Sequence, residues 1–315
     1  MTHAVIDRFK ALDAAFQARA GRGEKLQARF AALAALTAEP DVETLIENVF
    51  DIRSELNSRL GHWRAPDKPM RLVYATVLAA SKRRPSQFFI LRKALQDERA
   101  RRGGRGLSHG GAPAALALCS AGADVHQADT YFDTLEAIAA PWWRREAGRE
   151  EVLAAAGTAA GFLPDELAGR LSAARQALRD GGVPGSAVEA AAYEVALLDL
   201  KGGEIASAWT SLNLAVRGRS SLRSGIGRAG LAVLAAHGNG QDTAEALVRS
   251  FEALLPLKPR LPQQTTAKLA MRLTLAQLGD GSSVRAASDL AAILAAQAAM
   301  IAAVTTAAVV PAATS

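Results

Sequence analysis

Cysteine is nearly absent from this chain. Cys119 is the single one in 315 residues, so no intramolecular disulfide can form and no Cys-based zinc cluster can assemble. It falls in the apolar run 112–123, where a thiol packs as a small inert hydrophobe. Aromatic residues make up only 5%, and five histidines are present: His3, His62, His109, His126 and His237. The sequence contains no Gly-x-x-x-x-Gly-Lys-Ser/Thr phosphate loop and no His-Glu-x-x-His pair, which removes the common nucleotide-binding and zinc-protease signatures. Residues 1–8 lack the apolar centre of a signal peptide, so a cytoplasmic location is expected. Acidic residues are missing from 205–241, where Arg217, Arg219, Arg223 and Arg228 stand alone.

Alanine and leucine fill the space these absences leave. Half the residues are apolar, enough burial to exclude global disorder. Alanine has the best helix propensity and lets helices approach closely, so the expected class is all-α. Six times between about residues 70 and 285, an Ala/Leu-rich stretch ends in a short Gly/Asp/Ser turn, and the cycle restarts after about 37–41 residues. The turns include Ser120-Ala121-Gly122-Ala123-Asp124, Gly161-Phe162-Leu163-Pro164-Asp165, Lys201-Gly202-Gly203-Glu204 and Gly279-Asp280-Gly281-Ser282-Ser283.

The helices around these turns are of two kinds. Leu167, Leu171, Ala174 and Leu178 make one apolar stripe, Ile205, Trp209, Leu212 and Val216 another, and Leu247, Val248, Phe251, Leu254 and Leu255 a third, the pattern of helices with one wet face. The runs 112–123, 152–160, 190–200 and 229–236 carry few charges and belong on an inner layer, buried on several sides. Together they predict an αα-hairpin repeat array of about six to seven helix pairs, either an open solenoid or superhelix or a closed αα-toroid. Residues 1–60 read as N-terminal helices forming a degenerate first unit, 61–285 as the hairpin repeats and 286–315 as an apolar C-terminal helix and tail. Asp124, Asp165, Asp242 and Ser282 or Ser283 are the expected helix caps. Pro85, Pro113 and Pro184 sit at or just before helix starts.

Charge is unevenly placed. Residues 59–105 hold thirteen Lys or Arg against three acids. Lys82, Arg83 and Arg84, with Arg101, Arg102 and Arg105 of a Gly-rich loop through Gly111, form a candidate anion-binding set, because guanidinium groups pair bidentately with phosphate. The loop composition predicts a mobile or wrapping segment. Arg217, Arg219, Arg223 and Arg228 extend the set. His126, Asp129 and Asp133 fall at i, i+3 and i+7, a spacing that puts an imidazole and two carboxylates on one helix face, as a divalent metal would need. Trp142-Trp143 read as packing between repeats or as a partner anchor.

Residues 290–310 run 21 positions without a charge. They could pack on the array, self-associate through small residues or enter a membrane.

Phe50-Asp51-Ile52-Arg53-Ser54-Glu55-Leu56, then 72–80 and 295–303, resemble an uncharacterised bacterial family known only as a domain of unknown function (number four thousand and three). The likeness spans about residues 40–310. It implies an all-helical array and, since that family has no assigned activity, transfers no functional residue.

The sequence thus points to a helical-repeat binding or scaffold protein with a protein partner and no cofactor. The alternatives are a nucleic-acid or other polyanion binder gripping phosphate through its Arg-rich segments, and a metal-binding αα-toroid enzyme using His126, Asp129 and Asp133.

Overall fold

The structure, a computed structural model, describes residues 2–61, 65–104, 106–141, 146–238 and 240–278. Among them are fourteen α-helices and no strand. They are α1 (Thr2–Arg19), α2 (Lys25–Ala34), α3 (Val42–Arg59), α4 (Met70–Ala80), α5 (Pro85–Arg102), α6 (Ala112–Ala121) and α7 (Gln127–Ile138), followed by α8 (Ala147–Ala159), α9 (Pro164–Asp180), α10 (Gly185–Val195), α11 (Gly202–Ala215), α12 (Ser220–His237), α13 (Gly240–Leu254) and α14 (Gln263–Leu278).

Local chemistry sets the ends. The Asp41 carboxylate accepts the Thr44 N–H at 3.0 Å and starts α3. Pro85, Pro113 and Pro164 occupy first-turn positions, where the missing N–H has no intrahelical partner to lose. Pro184 caps α10. Asp165 and Asp242 lie inside the first turns of α9 and α13, where a carboxylate favours the positive helix end. Asp124 is not the cap of α7, whose N-cap is His126; its carboxylate accepts the His126 N–H at 2.8 Å in the turn before the helix. The expected caps Ser282 and Ser283 lie outside the described residues.

Each odd-numbered helix packs along the even-numbered helix that follows it, from α1 on α2 through to α13 on α14. A second set of contacts joins like to like. α2 touches α4, α4 touches α6, and so on through α8, α10 and α12 to α14, which touches α2 again. The odd-numbered helices follow the same circuit, and α13 meets α1. The chain therefore returns on itself, and Arg29 of α2 donates to the carbonyl of Pro259, before α14, at 2.8 Å.

The two kinds of helix fall where the apolar pattern puts them. In α4 every residue from Met70 to Ala79 is buried, and in α8 every residue from Glu150 to Thr158. In α9 only Leu167, Leu171, Ala174 and Leu178 are buried, a single stripe whose leucines each gain about 1.5–3 kcal/mol from burial.

Two expectations need correction. The Gly/Asp/Ser turns do not form the hairpin bends. The turns at 81–84, 122–126 and 160–163 lead from an even helix to an odd one with little shared contact, while the broad packing lies across 103–111, 139–146 and 181–184. A tight turn fixes where a helix starts; the side on which its apolar stripe lies decides what it packs along. The apolar run 190–200 is also not one helix. Helix α10 begins at Gly185 and ends at Val195, and Leu198 turns back to donate to the Val195 carbonyl at 3.0 Å.

No helix among the described residues is long and apolar enough to cross a membrane. The uncharged run 290–310 and the Trp142-Trp143 pair lie outside the described residues.

Candidate binding groove

The candidate anion and metal residues meet each other. Arg102, at the last position of α5, places Nη1 2.7 Å from Asp133 and Nη2 2.9 Å from Asp129. Arg101 reaches Asp129 at 2.8 Å, and both arginines grip Glu98 one turn back. These bonds hold the Glu98 carboxyl down at about 2 and push the Arg102 guanidinium above its usual value. The carboxylates offered to a metal thus face guanidinium groups, and the two arginines offered to phosphate are already paired. His126 is exposed at the head of α7. No group of three or more metal-ligating side chains occurs among the described residues.

Lys82, Arg83 and Arg84 sit at the opposite end of α5 from Arg101 and Arg102. Eighteen residues separate the ends, about 25 Å at 1.5 Å per residue, so the two halves of the expected basic set do not converge. Lys82 pairs with Glu39. Arg83 lies against Gly122, where a Cβ would come within 2.4 Å of its Nη2; that places its charge at the negative end of α6. Arg84 is exposed at the head of α5. Arg105 lies outside the described residues.

The Gly-rich loop is tied down where it is described. Ser108 donates its N–H and its hydroxyl to Glu151 at 3.0 and 3.1 Å. The Gly110 carbonyl accepts from Gln96 at 2.8 Å and from Arg92 at 3.2 Å. His109, Gly110 and Gly111 carry positive φ values of 46°, 63° and 77°; the glycines adopt this without the Cβ clash that other residues meet. The expectation of a mobile or wrapping segment does not hold for these residues, because two side chains of α5 and one of α8 fix it. Cys119 is buried, and burial pushes its thiol up to about 11 despite nearby Arg83.

The second basic cluster stays open. Arg217, Arg219, Arg223 and Arg228 are all exposed at the α11–α12 link and along α12. Arg219 approaches Glu252 at 4.0 Å. Arg217, Arg223 and Arg228 have no ion-pair partner among the described residues.

Beside this cluster runs a groove of about 590 Å³ between α11 and α13. Helix α11 turns Ile205, Ala208 and Leu212 inward, which leaves Ser211, Leu214 and Ala215 on the groove side. Leu214 is 61% exposed. Helix α13 buries Leu247, Phe251 and Leu254 and supplies Ala244 and Val248 to the groove. Gly240 lets α13 start against α11, since a Cβ there would stand 2.7 Å from the Ala208 Cα. Arg219, Arg249, Glu245 and Glu252 rim the groove. The result is an apolar strip with charged edges, open to solvent, suited to a complementary strip on another molecule.

The sequence reading missed this site. Its signal was Leu214, an apolar residue off the stripe of Ile205, Trp209, Leu212 and Val216, lining together with Val248 a groove that only the packing of α11 on α13 creates. No protein-family profile, no curated protein and no solved structure matches the chain.

Proposed function

We propose that this protein is a closed ring of seven αα-hairpins acting as a binding scaffold, and that a protein partner docks in the groove between α11 and α13. The circuit of helix contacts supports the ring. So does a recurring polar bridge. The hydroxyls of Thr158 and Thr134 meet at 3.4 Å between α8 and α7, and those of Thr274 and Ser250 at 3.3 Å between α14 and α13. Both pairs are separated by 24 residues, so the same position recurs in two hairpins.

The observation that carries the binding role is Leu214, 61% exposed along an apolar groove. An isolated exposed leucine needs no explanation, but one continuous with Ala215, Ala244 and Val248 forms a patch of the kind proteins use for contact.

The test is site-specific crosslinking in native extract. A photoreactive group at Gln241 is expected to capture a partner that one at Ile90, exposed on α5, does not. Capture is expected to survive nuclease and to vanish in Leu214→Asp. Equal capture at both sites, or capture indifferent to Leu214→Asp, would remove the groove from consideration.

A second reading, polyanion binding, keeps support from the exposed Arg217, Arg219, Arg223 and Arg228. It requires capture to be lost on nuclease treatment and to weaken steeply with salt.

A further inference from the structure

We infer that the occupant of the α11–α13 groove is an amphipathic peptide segment with acidic residues beside its apolar face. This rests on the groove reading above and adds the chemistry of the partner. The floor is apolar, formed by Leu214, Ala215, Ala244 and Val248. It extends from Gln241 to Glu252 along its α13 wall, about 16 Å at 1.5 Å per residue, the length three helical turns cover. An apolar stripe at i, i+3 or i+4, and i+7 fits that length.

Charge decides what flanks the stripe. The groove ends at Arg219, and Arg217 and Arg223 lie within one turn of it in sequence. Arg219 and Arg223 are four residues apart, joined by a backbone bond from the Arg223 N–H to the Arg219 carbonyl at 2.9 Å. No Asp or Glu occurs anywhere from 205 to 241. At the end of α5, by contrast, Arg101 and Arg102 are matched by Glu98, Asp129 and Asp133. Arg219 has Glu252 at 4.0 Å, and Glu245 stands on the same rim; Arg217, Arg223 and Arg228 have no ion-pair partner among the described residues, and it is these three that carboxylates of a docked segment would match.

Two other occupants fit less well. Nucleic acid gains nothing from a leucine and valine floor, and no aromatic side chain lines the groove for a base to stack on. The chain's own segment 290–310 has no charge and would leave the arginines unmatched.

The experiment uses the full-length chain and fluorescence anisotropy. The probe is a labelled helical peptide of about 16 residues with leucines on one face and glutamates at one end. Three comparisons accompany it: the same peptide with lysine for glutamate, a scrambled version that destroys the apolar face, and a thymidine oligonucleotide.

The glutamate peptide is expected to bind at least about tenfold more tightly than the lysine peptide at low salt, a gap that narrows as salt screens it. Leu214→Asp is expected to abolish binding of both peptides. The triple change of Arg217, Arg223 and Arg228 to Glu is expected to erase the preference for glutamate. All four positions are exposed, and circular dichroism checks that the variants fold.

Equal binding of the glutamate and lysine peptides, still lost in Leu214→Asp, overturns the acidic partner and leaves the groove standing. Binding of the scrambled peptide or the oligonucleotide as tight as that of the glutamate peptide, indifferent to Leu214→Asp, overturns both. Displacement of the glutamate peptide by a synthetic 290–310 peptide at lower concentration assigns the groove to the chain itself and also overturns the inference.

Discussion

Arg29 is 1% exposed and its partner Asp13 4%, with Nε 3.4 Å from the carboxylate. Burial raises the Asp13 carboxyl above its ordinary value, although Gln17 and Arg29 both pull the other way. Removing one member of such a pair strands the other in a medium that cannot solvate it. Arg29→Ala is expected to lower unfolding stability by about 3–5 kcal/mol, read from urea denaturation. Glycines separate just as sharply by surroundings. A Cβ at Gly225 would lie 2.5 Å from the Gln264 carbonyl oxygen, so Gly225→Ala is expected to destabilise by about 1–3 kcal/mol through overpacking. Gly169, mid-helix in α9, has nothing within 4 Å, and Gly169→Ala is expected to stabilise by about 0.5–1 kcal/mol. The sequence carried the apolar stripes at this scale because a buried leucine leaves a periodic trace. It carried nothing of Arg29 or of Arg71, which is 2% exposed in α4 and donates to the Pro66 and Gly61 carbonyls; such charges look like surface charges until the fold closes over them.

At the scale of elements, α5 and α7 are latched by Arg101, Arg102, Glu98, Asp129 and Asp133. Glu98 sits at about 2, well under its ordinary 4.5, because two guanidinium groups bond its charged form. A carboxylate lowered in the folded state adds stability above its unfolded value and loses that stability as pH falls toward its folded one. The melting temperatures of the native chain and Glu98→Gln are therefore expected to differ most above pH 4.5 and to converge as pH drops toward about 2. Helix α12 breaks at Gly227, with φ 71° and ψ 173°, a region essentially reserved for glycine. Gly227→Ala is expected to cost about 1–3 kcal/mol in urea denaturation, although nothing crowds the site. Most helix positions were legible from period and punctuation; which helix pairs with which was not. Spacing along a chain records that helices alternate, but the partner is chosen by where the apolar face points once the turn is made. The metal and anion expectations failed to separate for the same reason. Asp129 and Arg102 are 27 residues apart and only the packing of α5 against α7 shows that they satisfy each other.

For the whole molecule, the decisive contacts join α1 and α2 to α13 and α14. An open row of hairpins frays from its two ends, since each terminal unit has one neighbour. A row whose ends meet gives every unit two. Hydrogen exchange is expected to find α2 and α14 as protected as α6 and α8, and Arg29→Ala to lower protection in α2 and α14 together; fraying of α2 alone would contradict the closed circuit. Closure was beyond the reach of the sequence, because the contact that makes it, from Arg29 to the Pro259 carbonyl, spans 230 residues and has no local signature. It has a topological corollary. Where α1 and α14, the first and last of the described helices, are already neighbours, the order in which the helices are strung is separable from the arrangement they adopt. Circular permutants that reconnect α14 to α1 through a short linker and begin instead at a turn such as 160–163 should reach the same architecture from a different starting helix.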